Sequence, residues 1–509
     1  MIVKIISSAV VGIDSYPVDV EVDVSSGLPQ FSTVGLPDIS VRESKDRIKA
    51  AIKNSGYTFP ADRVTVNLAP ADIKKEGTSF DLPIALGILT AEGMIKSESL
   101  QNYLILGELS LDGRIKGIHG ALSAAFQAKE MGIRGIVLPR ENAAEAAMVE
   151  AIDVIAIDYL PDIVEFFNDR KEIKPTRVDI SEIFNKSLHY SFDFSEIRGQ
   201  DQSKRALEVA AAGGHNIIMI GPPGSGKTML AQRLPTILPD LSFQEAVETT
   251  KIFSVAGLLA KKDAILATRP FRAPHHTISD AGLVGGGHIP RPGEVSLANH
   301  GVLFLDELPE FKKNVLEVLR QPLENGYVTI VRSSLTATYP ASFMLVAAMN
   351  PCPCGYYTDP RRECRCTPQQ IRRYQAKISG PLLDRIDIHI DVPSIRYREL
   401  AAKSGGESSR LICERVNRAR TMQEKRFGGQ DTLCNARMSN KQIKEFCPID
   451  EDSERLIEMA MDRLGLSARA YTRILKVART IADLEEEKNI RSYHISEAIQ
   501  YRSLDRKMI

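Results

Sequence analysis

Asn216-Ile-Ile-Met-Ile220 runs directly into Gly221-Pro222-Pro223-Gly224-Ser225-Gly226-Lys227-Thr228, and this stretch decides the fold. The apolar run reads as a strand buried on both faces, the type found in parallel sheets covered by helices. The loop after it is GxxxxGK(S/T) in its required strand-loop-helix setting, a phosphate-binding P-loop. Its glycines let backbone N–H groups wrap phosphates, Lys227 is placed to reach the β and γ phosphates of ATP, and the Thr228 hydroxyl is placed to ligate Mg²⁺.

Two more apolar strands extend the same sheet. Gly301-Val-Leu-Phe-Leu305 ends in Asp306-Glu307, two carboxylates at the carboxyl end of a parallel strand, where such sheets bind ligands. Asp306 suits the Mg²⁺ shell and Glu307 the polarisation of an attacking water. Phe343-Met-Leu-Val-Ala-Ala-Met-Asn350 ends in an amide able to orient that water, or in a turn-forming Asn before Pro351. Gly380-Pro-Leu-Leu-Asp384-Arg385-Ile-Asp387 then offers an arginine either for a neighbouring subunit's γ-phosphate or for a surface ion pair with Asp384 or Asp387.

The ordered set Gly221 to Thr228, Asp306-Glu307, Asn350 and Leu383-Asp384-Arg385 resembles the AAA+ ATPases. Phe271-Arg-Ala-Pro-His-His-Thr-Ile-Ser, Pro292-Gly-Glu-Val-Ser-Leu-Ala and Asn350-Pro-Cys-Pro-Cys-Gly are similar to the magnesium-chelatase-like branch, in its ComM/YifB group. The resemblance covers nearly the whole chain. It implies an ATPase coupled to DNA unwinding, hexameric, acting in branch migration on single-stranded or branched DNA. Arg385 becomes the arginine finger and Arg469 the second sensor from the lid, with Arg473 one turn further along as the other candidate. The alternative for these lid arginines is a solvated helix face: Ile474, Val477, Ile481 and Leu484 form an apolar stripe, and Arg469, Arg473 and Lys476 lie on another side.

Between the P-loop helix and Asp306, Lys251 to Leu297 is unusually long and carries His275-His276 and His288. The resemblance makes it a helix-2 insertion reaching toward a central pore; no ordered Cys or carboxylate spacing accompanies the histidines to support a metal site. Tyr327-Val-Thr-Ile-Val-Arg332-Ser-Ser-Leu-Thr-Ala-Thr-Tyr339 reads as a β-hairpin turning near Ser333-Ser334. It resembles a presensor hairpin, with Arg332 as a DNA contact or as plain surface charge. Cys352-x-Cys354 and Cys364-x-Cys366 can gather four thiolates around one structural Zn²⁺, or stand as free thiols, the CxC pairs being shorter than the usual CxxC. Arg361, Arg362, Arg365, Arg372, Arg373 and Lys377, opposed only by Glu363, add a local basic patch fit for DNA phosphates.

Residues 1–168 read as a separate α/β unit, with strand-like runs at Val18-Val24, Val64-Leu68, Tyr103-Leu106 and Gly135-Leu138 and helical patterns at Ser40-Ser55, Asp81-Glu92 and Ala121-Met131. Lys75-Glu-Gly-Thr-Ser79-Phe-Asp81, Gly107-Glu-Leu-Ser-Leu-Asp-Gly-Arg114 and Gly135-Ile-Val-Leu-Pro139-Arg-Glu-Asn142 resemble the Lon protease domain, of the ribosomal-S5-domain-2 type. Ser79 falls at that family's nucleophile, but Leu122 falls at its lysine. Without that base the hydroxyl stays weakly nucleophilic, so the unit reads as proteolytically inactive, with Lys116 the one nearby lysine left.

Length and composition bound the rest. At about 100–200 residues per domain, 509 residues allow two to four domains. Hydrophobic residues at 43% and charged residues at 26% exclude a mainly disordered chain. Sixty-five basic residues balance sixty-five acidic ones, so a nucleic-acid site must be a local patch. The start lacks a signal peptide and no run is long enough to span a bilayer, which predicts a cytoplasmic protein without membrane contact. The polar stretch 169–195 reads as a linker, 196–395 as the ATPase domain, and 396–509 as a helical lid with helices at Ser409-Arg426, Ser439-Phe446, Glu451-Leu464, Ser467-Glu487 and His494-Ile499. The competing functions are a metal-chelatase motor and an ATP-dependent protease.

Overall fold

A computed structural model describes residues 2–71, 75, 77–96, 98–180, 183, 190–260, 263–287, 290–332, 336–357, 359–394, 406–428 and 434–502. His288 and the turn at Ser333-Ser334 lie outside the described residues.

The N-terminal region is built on a seven-stranded mixed sheet. Its strands are β1 (Ile2–Val11), β2 (Asp14–Ser25), β3 (Gln30–Val34), β4 (Arg63–Ala69), β5 (Tyr103–Ile105), β8 (Gly135–Pro139) and β9 (Asp153–Ile157), in the order β3-β4-β2-β1-β5-β8-β9. A short antiparallel ribbon, β6 (Glu108–Leu109) with β7 (Ile115–Lys116), lies between β5 and β8 in the chain. On β2, Val18, Val20 and Val22 are fully buried and alternate with half-buried acidic residues, the period of two that a strand imposes. β8 is buried throughout because both faces are covered. Ile105 and Val137 join one core with the helices Ile39–Asn54, Asp81–Ala91 and Leu160–Phe167, while Leu104, Ile136 and Leu138 join another with the helix Ala121–Glu130.

The second sheet has five strands, all parallel: β10 (Ile217–Ile220), β11 (Phe271–Arg272), β14 (Val302–Leu305), β17 (Met344–Met349) and β18 (Ile388–Asp391), in the order β11-β14-β17-β10-β18. Because β17 lies between β10 and β14, the carboxyl ends of these three strands stand side by side. Two antiparallel ribbons leave the sheet: β12 (Gly285–Gly286) with β13 (Arg291–Pro292), and β15 (Tyr327–Val331) with β16 (Thr336–Pro340).

The C-terminal region is helical: Ser409–Phe427, Asn440–Phe446, Glu451–Leu464, Ala468–Leu484 and Ser492–Gln500. Ser467 caps the fourth by accepting from the Ala470 N–H at 3.3 Å, and the helix stops at Leu484, short of the expected Glu487, with Glu486 in a left-handed conformation. Ile474, Val477 and Ile481 share one core with Ile217 and Met219 of β10, so the helices rest directly on the parallel sheet.

The N-terminal sheet also packs on the second region. The helix Phe243–Ala256 contributes Ala246 and Val247 to the core around Leu104, and its Ser254 hydroxyl donates to buried Glu145 at 2.7 Å and accepts from the Gly120 N–H at 3.1 Å. Among the described residues, no helix is long and apolar enough to cross a membrane.

Candidate nucleotide site

The loop after β10 wraps the start of the helix Lys227–Arg233. Gly224 and Gly226 have φ of +75° and +88°, a conformation that glycine adopts without a Cβ penalty. Lys227 is buried and donates from Nζ to the carbonyls of Gly221 (2.8 Å) and Pro222 (3.0 Å) and to Asn350 Oδ1 (3.3 Å). Burial lowers its pKa, with Asp306 and Glu307 opposing the shift. Thr228 Oγ1 donates to Asp306 Oδ2 at 2.8 Å, and the same carboxylate accepts the Glu307 N–H on Oδ1 at 2.9 Å. P-loop, amide and paired carboxylates therefore meet at the ends of three adjacent strands.

Glu307 has φ +53° and ψ +47°, left-handed for a residue with a Cβ. The strained backbone leaves its side chain exposed beside Asp306, with Oε2 at 3.6 Å from His276 Nδ1. His276 lies 4.1 Å from His275, ring to ring, and packs edge-on against Phe311.

Sequence reasoning missed a second part of the site. A cavity beside the P-loop helix is lined by Glu196, Ile197, Arg198, Gln200, Gly226, Met229 and Leu230. Gln200, at φ +57°, donates from Nε2 to the Ser225 carbonyl at 2.6 Å and so ties this wall to the loop. The stretch Ile197-Arg-Gly-Gln200 carries no charge or spacing pattern that marks it without the fold.

The arginines are distributed differently from expectation. Arg385 is buried, donating to Glu324 and from Nη1 to the Pro381 carbonyl at 2.5 Å; it makes no surface pair with Asp384 or Asp387. Asp384 instead faces exposed Arg469 at 3.6 Å. Arg473 Nη1 meets buried Asp387 at 2.6 Å, and His215 Nδ1 approaches the other Asp387 oxygen at 3.4 Å. Burial would raise the Asp387 pKa, but Arg473 and His215 outweigh it and hold it below the carboxylate range. Lys476 is buried and donates to the Ala436 carbonyl at 2.8 Å. Arg473 and Lys476 are therefore engaged by distant segments and do not lie on a solvated face, whereas Arg469 is exposed beside Asp384.

On the β15–β16 hairpin, Arg332 is exposed and donates from Nε to the Gly287 carbonyl at 3.1 Å, joining the hairpin to the β12–β13 ribbon. Arg361 and Arg362 are exposed, and Arg362 bonds the Tyr356 hydroxyl at 2.7 Å. Lys377 faces Glu310 at 3.2 Å, a second carboxylate at the basic patch besides Glu363. In the N-terminal region Leu122 is fully buried, and Lys116 faces Glu108 at 4.0 Å.

Cys352, Cys354, Cys364 and Cys366 converge, all four Sγ atoms lying within 4.8 Å of one another. Cys352 stands 3.3 Å from Cys354 and 3.7 Å from Cys364, and Cys354 stands 3.6 Å from Cys364. Zn–S bonds of ~2.3 Å in a tetrahedron separate sulfurs by ~3.8 Å, so the cluster fits such an ion.

Comparison with known proteins gives a consistent result along the chain. The family model for magnesium chelatase, subunit ChlI, matches residues 193–400; that for subunit ChlI of Mg-chelatase matches 20–142; and that for the ChlI C-terminal region matches 406–502. The YifB protein of Salmonella typhimurium is 44% identical over 98% of this chain and 97% of its own length. The competence protein ComM of Haemophilus influenzae is 44% identical with the same coverage. The magnesium-chelatase 38 kDa subunit of Rhodobacter capsulatus is 27% identical over 41% of this chain and 61% of its own.

Proposed function

Because the chain belongs to the YifB/ComM family of magnesium-chelatase-like ATPases, we propose that it is an ATP-driven DNA translocase or helicase, hexameric and cytoplasmic, that promotes branch migration when incoming DNA recombines. The observation that carries this reading is the Arg332–Gly287 contact, which joins the two ribbons beside the ATPase sheet and leaves an exposed guanidinium between them for a DNA backbone. The name of the ComM relative, a competence protein, points the same way.

In this reading residues 1–168 are a Lon-like unit without protease activity, 169–195 a linker, 196–395 the AAA+ domain with its helix-2 insertion and presensor hairpin, and 396–509 the lid. The P-loop amides and Lys227 cradle the phosphates of ATP, and the cavity against Ile197 and Met229 takes the base. Thr228 and Asp306 hold the Mg²⁺ that accompanies the nucleotide. Glu307 accepts a proton from the attacking water, Asn350 orients that water, and Arg469 approaches the phosphates from the lid. Arg385 leaves Glu324 to meet a neighbouring subunit's γ-phosphate, where its charge stabilises the transition state. The four cysteines hold one structural Zn²⁺, and Arg332, Arg361 and Arg362 contact DNA. ATP-dependent strand displacement on a forked duplex is the test: wild-type protein displaces the strand, and Arg332→Ala loses displacement with basal ATP turnover largely intact. Displacement unchanged in Arg332→Ala would remove the hairpin from the mechanism.

A second reading, a chelatase motor, is favoured by the three ChlI matches along the chain. It expects turnover to respond to a porphyrin and a partner subunit and to ignore DNA.

A further inference from the structure

The loop that carries the four cysteines occupies a position that binding a metal alone does not explain. Asn350, which accepts from Lys227 Nζ, is separated from Cys352 by Pro351 only. Three residues past Cys352, Gly355 has φ +86° and lies so close to the P-loop that a Cβ there would stand 2.5 Å from Pro223 Cδ and 2.7 Å from its Cγ. At the far end of the loop, Thr367 caps the helix Pro368–Gln375, and Gln375 Nε2 reaches back to the Pro351 carbonyl at 3.2 Å. The cysteine loop therefore begins at the amide that touches Lys227, rests on the outer proline of the phosphate cradle, and closes on its own start.

Apolar packing does little to hold the loop, although Asp359 accepts from the Ser394 hydroxyl at 3.3 Å and Arg362 bonds Tyr356 at 2.7 Å. Arg361, Arg362, Glu363 and Arg365 are exposed, and Cys352 is its one fully buried side chain among the described residues of 352–366. A polar loop of this length buries little apolar surface to offset its chain entropy, so a cross-link among its thiols adds substantially to the few polar contacts that order it. The thiolates converge at metal-binding separations, so the cross-link falls between Asn350 and the surface that backs Pro223.

We propose that the cysteine cluster is a metal-dependent brace of the ATP site: by fixing the loop against Pro223 and the approach to Asn350, bound zinc sets nucleotide affinity without touching nucleotide. The proposal rests on the zinc reading above and adds the coupling. With the ion in place, the P-loop is held in the form that receives phosphates. With it removed, the loop loosens, Pro223 loses its backing, and nucleotide binding must order the cradle again.

The full chain, purified without added metal, tests both layers separately. Elemental analysis reports zinc per chain, expected at about one. Zinc is then withdrawn with a zinc-selective chelator, Mg²⁺ is restored, and the affinity for a fluorescent ATP analogue is measured. The expected result is a loss of about tenfold that Zn²⁺ alone reverses. Gly355→Ala provides the independent arm: a methyl group at a left-handed position against Pro223 displaces the contact while leaving all four thiols, so zinc content stays and analogue affinity falls. Zinc present and removable, with affinity unchanged within about twofold in both arms, overturns the brace and leaves the zinc site standing. Absence of zinc from freshly purified protein overturns both.

Discussion

Replacing Glu307 by glycine and by alanine separates the backbone demand at this position from the carboxylate's chemistry. The residue holds φ +53° and ψ +47°, which costs a side chain with a Cβ roughly 1–2 kcal/mol relative to right-handed backbone. Glycine escapes that term but loses about 0.5–1 kcal/mol more chain entropy than alanine on folding. The two terms leave Glu307→Gly more stable than Glu307→Ala by about 0.5–1 kcal/mol, the reverse of the order at an ordinary position. Packing contributes little, because the side chain is exposed, and both variants lose the His276 contact equally. Urea unfolding of the two variants side by side, with ATP turnover measured on each, is the assay. Turnover should vanish in both while the glycine variant unfolds at the higher urea concentration. An alanine variant as stable as the glycine variant would refute the strain, and with it the reason the carboxylate stands out from the strand end.

Three further outcomes are expected from the geometry. Burial would lower the His300 pKa, but Glu245 and Glu248 outweigh it and raise it, while Glu245 is held down to about 2 by His300 and Arg269 against its own burial. A raised histidine contributes stability that is complete below its unfolded value and lost as pH rises through the folded one, and the lowered Glu245 contributes above about pH 4.3. The urea midpoint should therefore be higher at about pH 6 than at about pH 8.5, and His300→Asn, which tolerates the φ of +55°, should flatten the difference; an unchanged difference would count against the clamp. Asp387→Asn leaves the partly exposed Arg473 without its carboxylate and should speed hydrogen exchange across Ala468–Leu484, where unchanged exchange would show that the pair does not hold this helix. Mixing Arg385→Ala with Lys227→Ala subunits should partly restore turnover, since each supplies what its neighbour lacks; no restoration in a demonstrated oligomer would place Arg385 in a purely structural pair with Glu324.

The parts legible in the sequence are those fixed by local pattern. Ile217–Ile220 is a short apolar run ending in the glycine-rich loop and Val302–Leu305 one ending in two carboxylates, and a parallel sheet leaves such ends on one edge. Lys227 consequently meets Asn350, and Thr228 meets Asp306. Residues paired by long-range packing were not legible. Glu324 reaches Arg385 from 61 positions away, and Gln200 reaches Ser225 from a segment with no motif of its own. Arg473 and Lys476 look solvated on a helical wheel because the wheel carries no information on Asp387 or Ala436, which arrive from other segments. The closeness of Gly355 to Pro223 joins two loops more than 130 positions apart, and only the fold brings them into contact.

The central claim is that ATP hydrolysis at this site is coupled to DNA. Steady-state ATP turnover of the oligomer, with and without single-stranded or forked DNA at low salt and with Glu307→Gln as the hydrolysis-dead control, tests it most directly. Turnover should rise with DNA of any sequence, and the rise should fade steeply as salt displaces phosphate contacts. Turnover that is robust, abolished by Glu307→Gln and indifferent to DNA would contradict it and favour the chelatase-type motor.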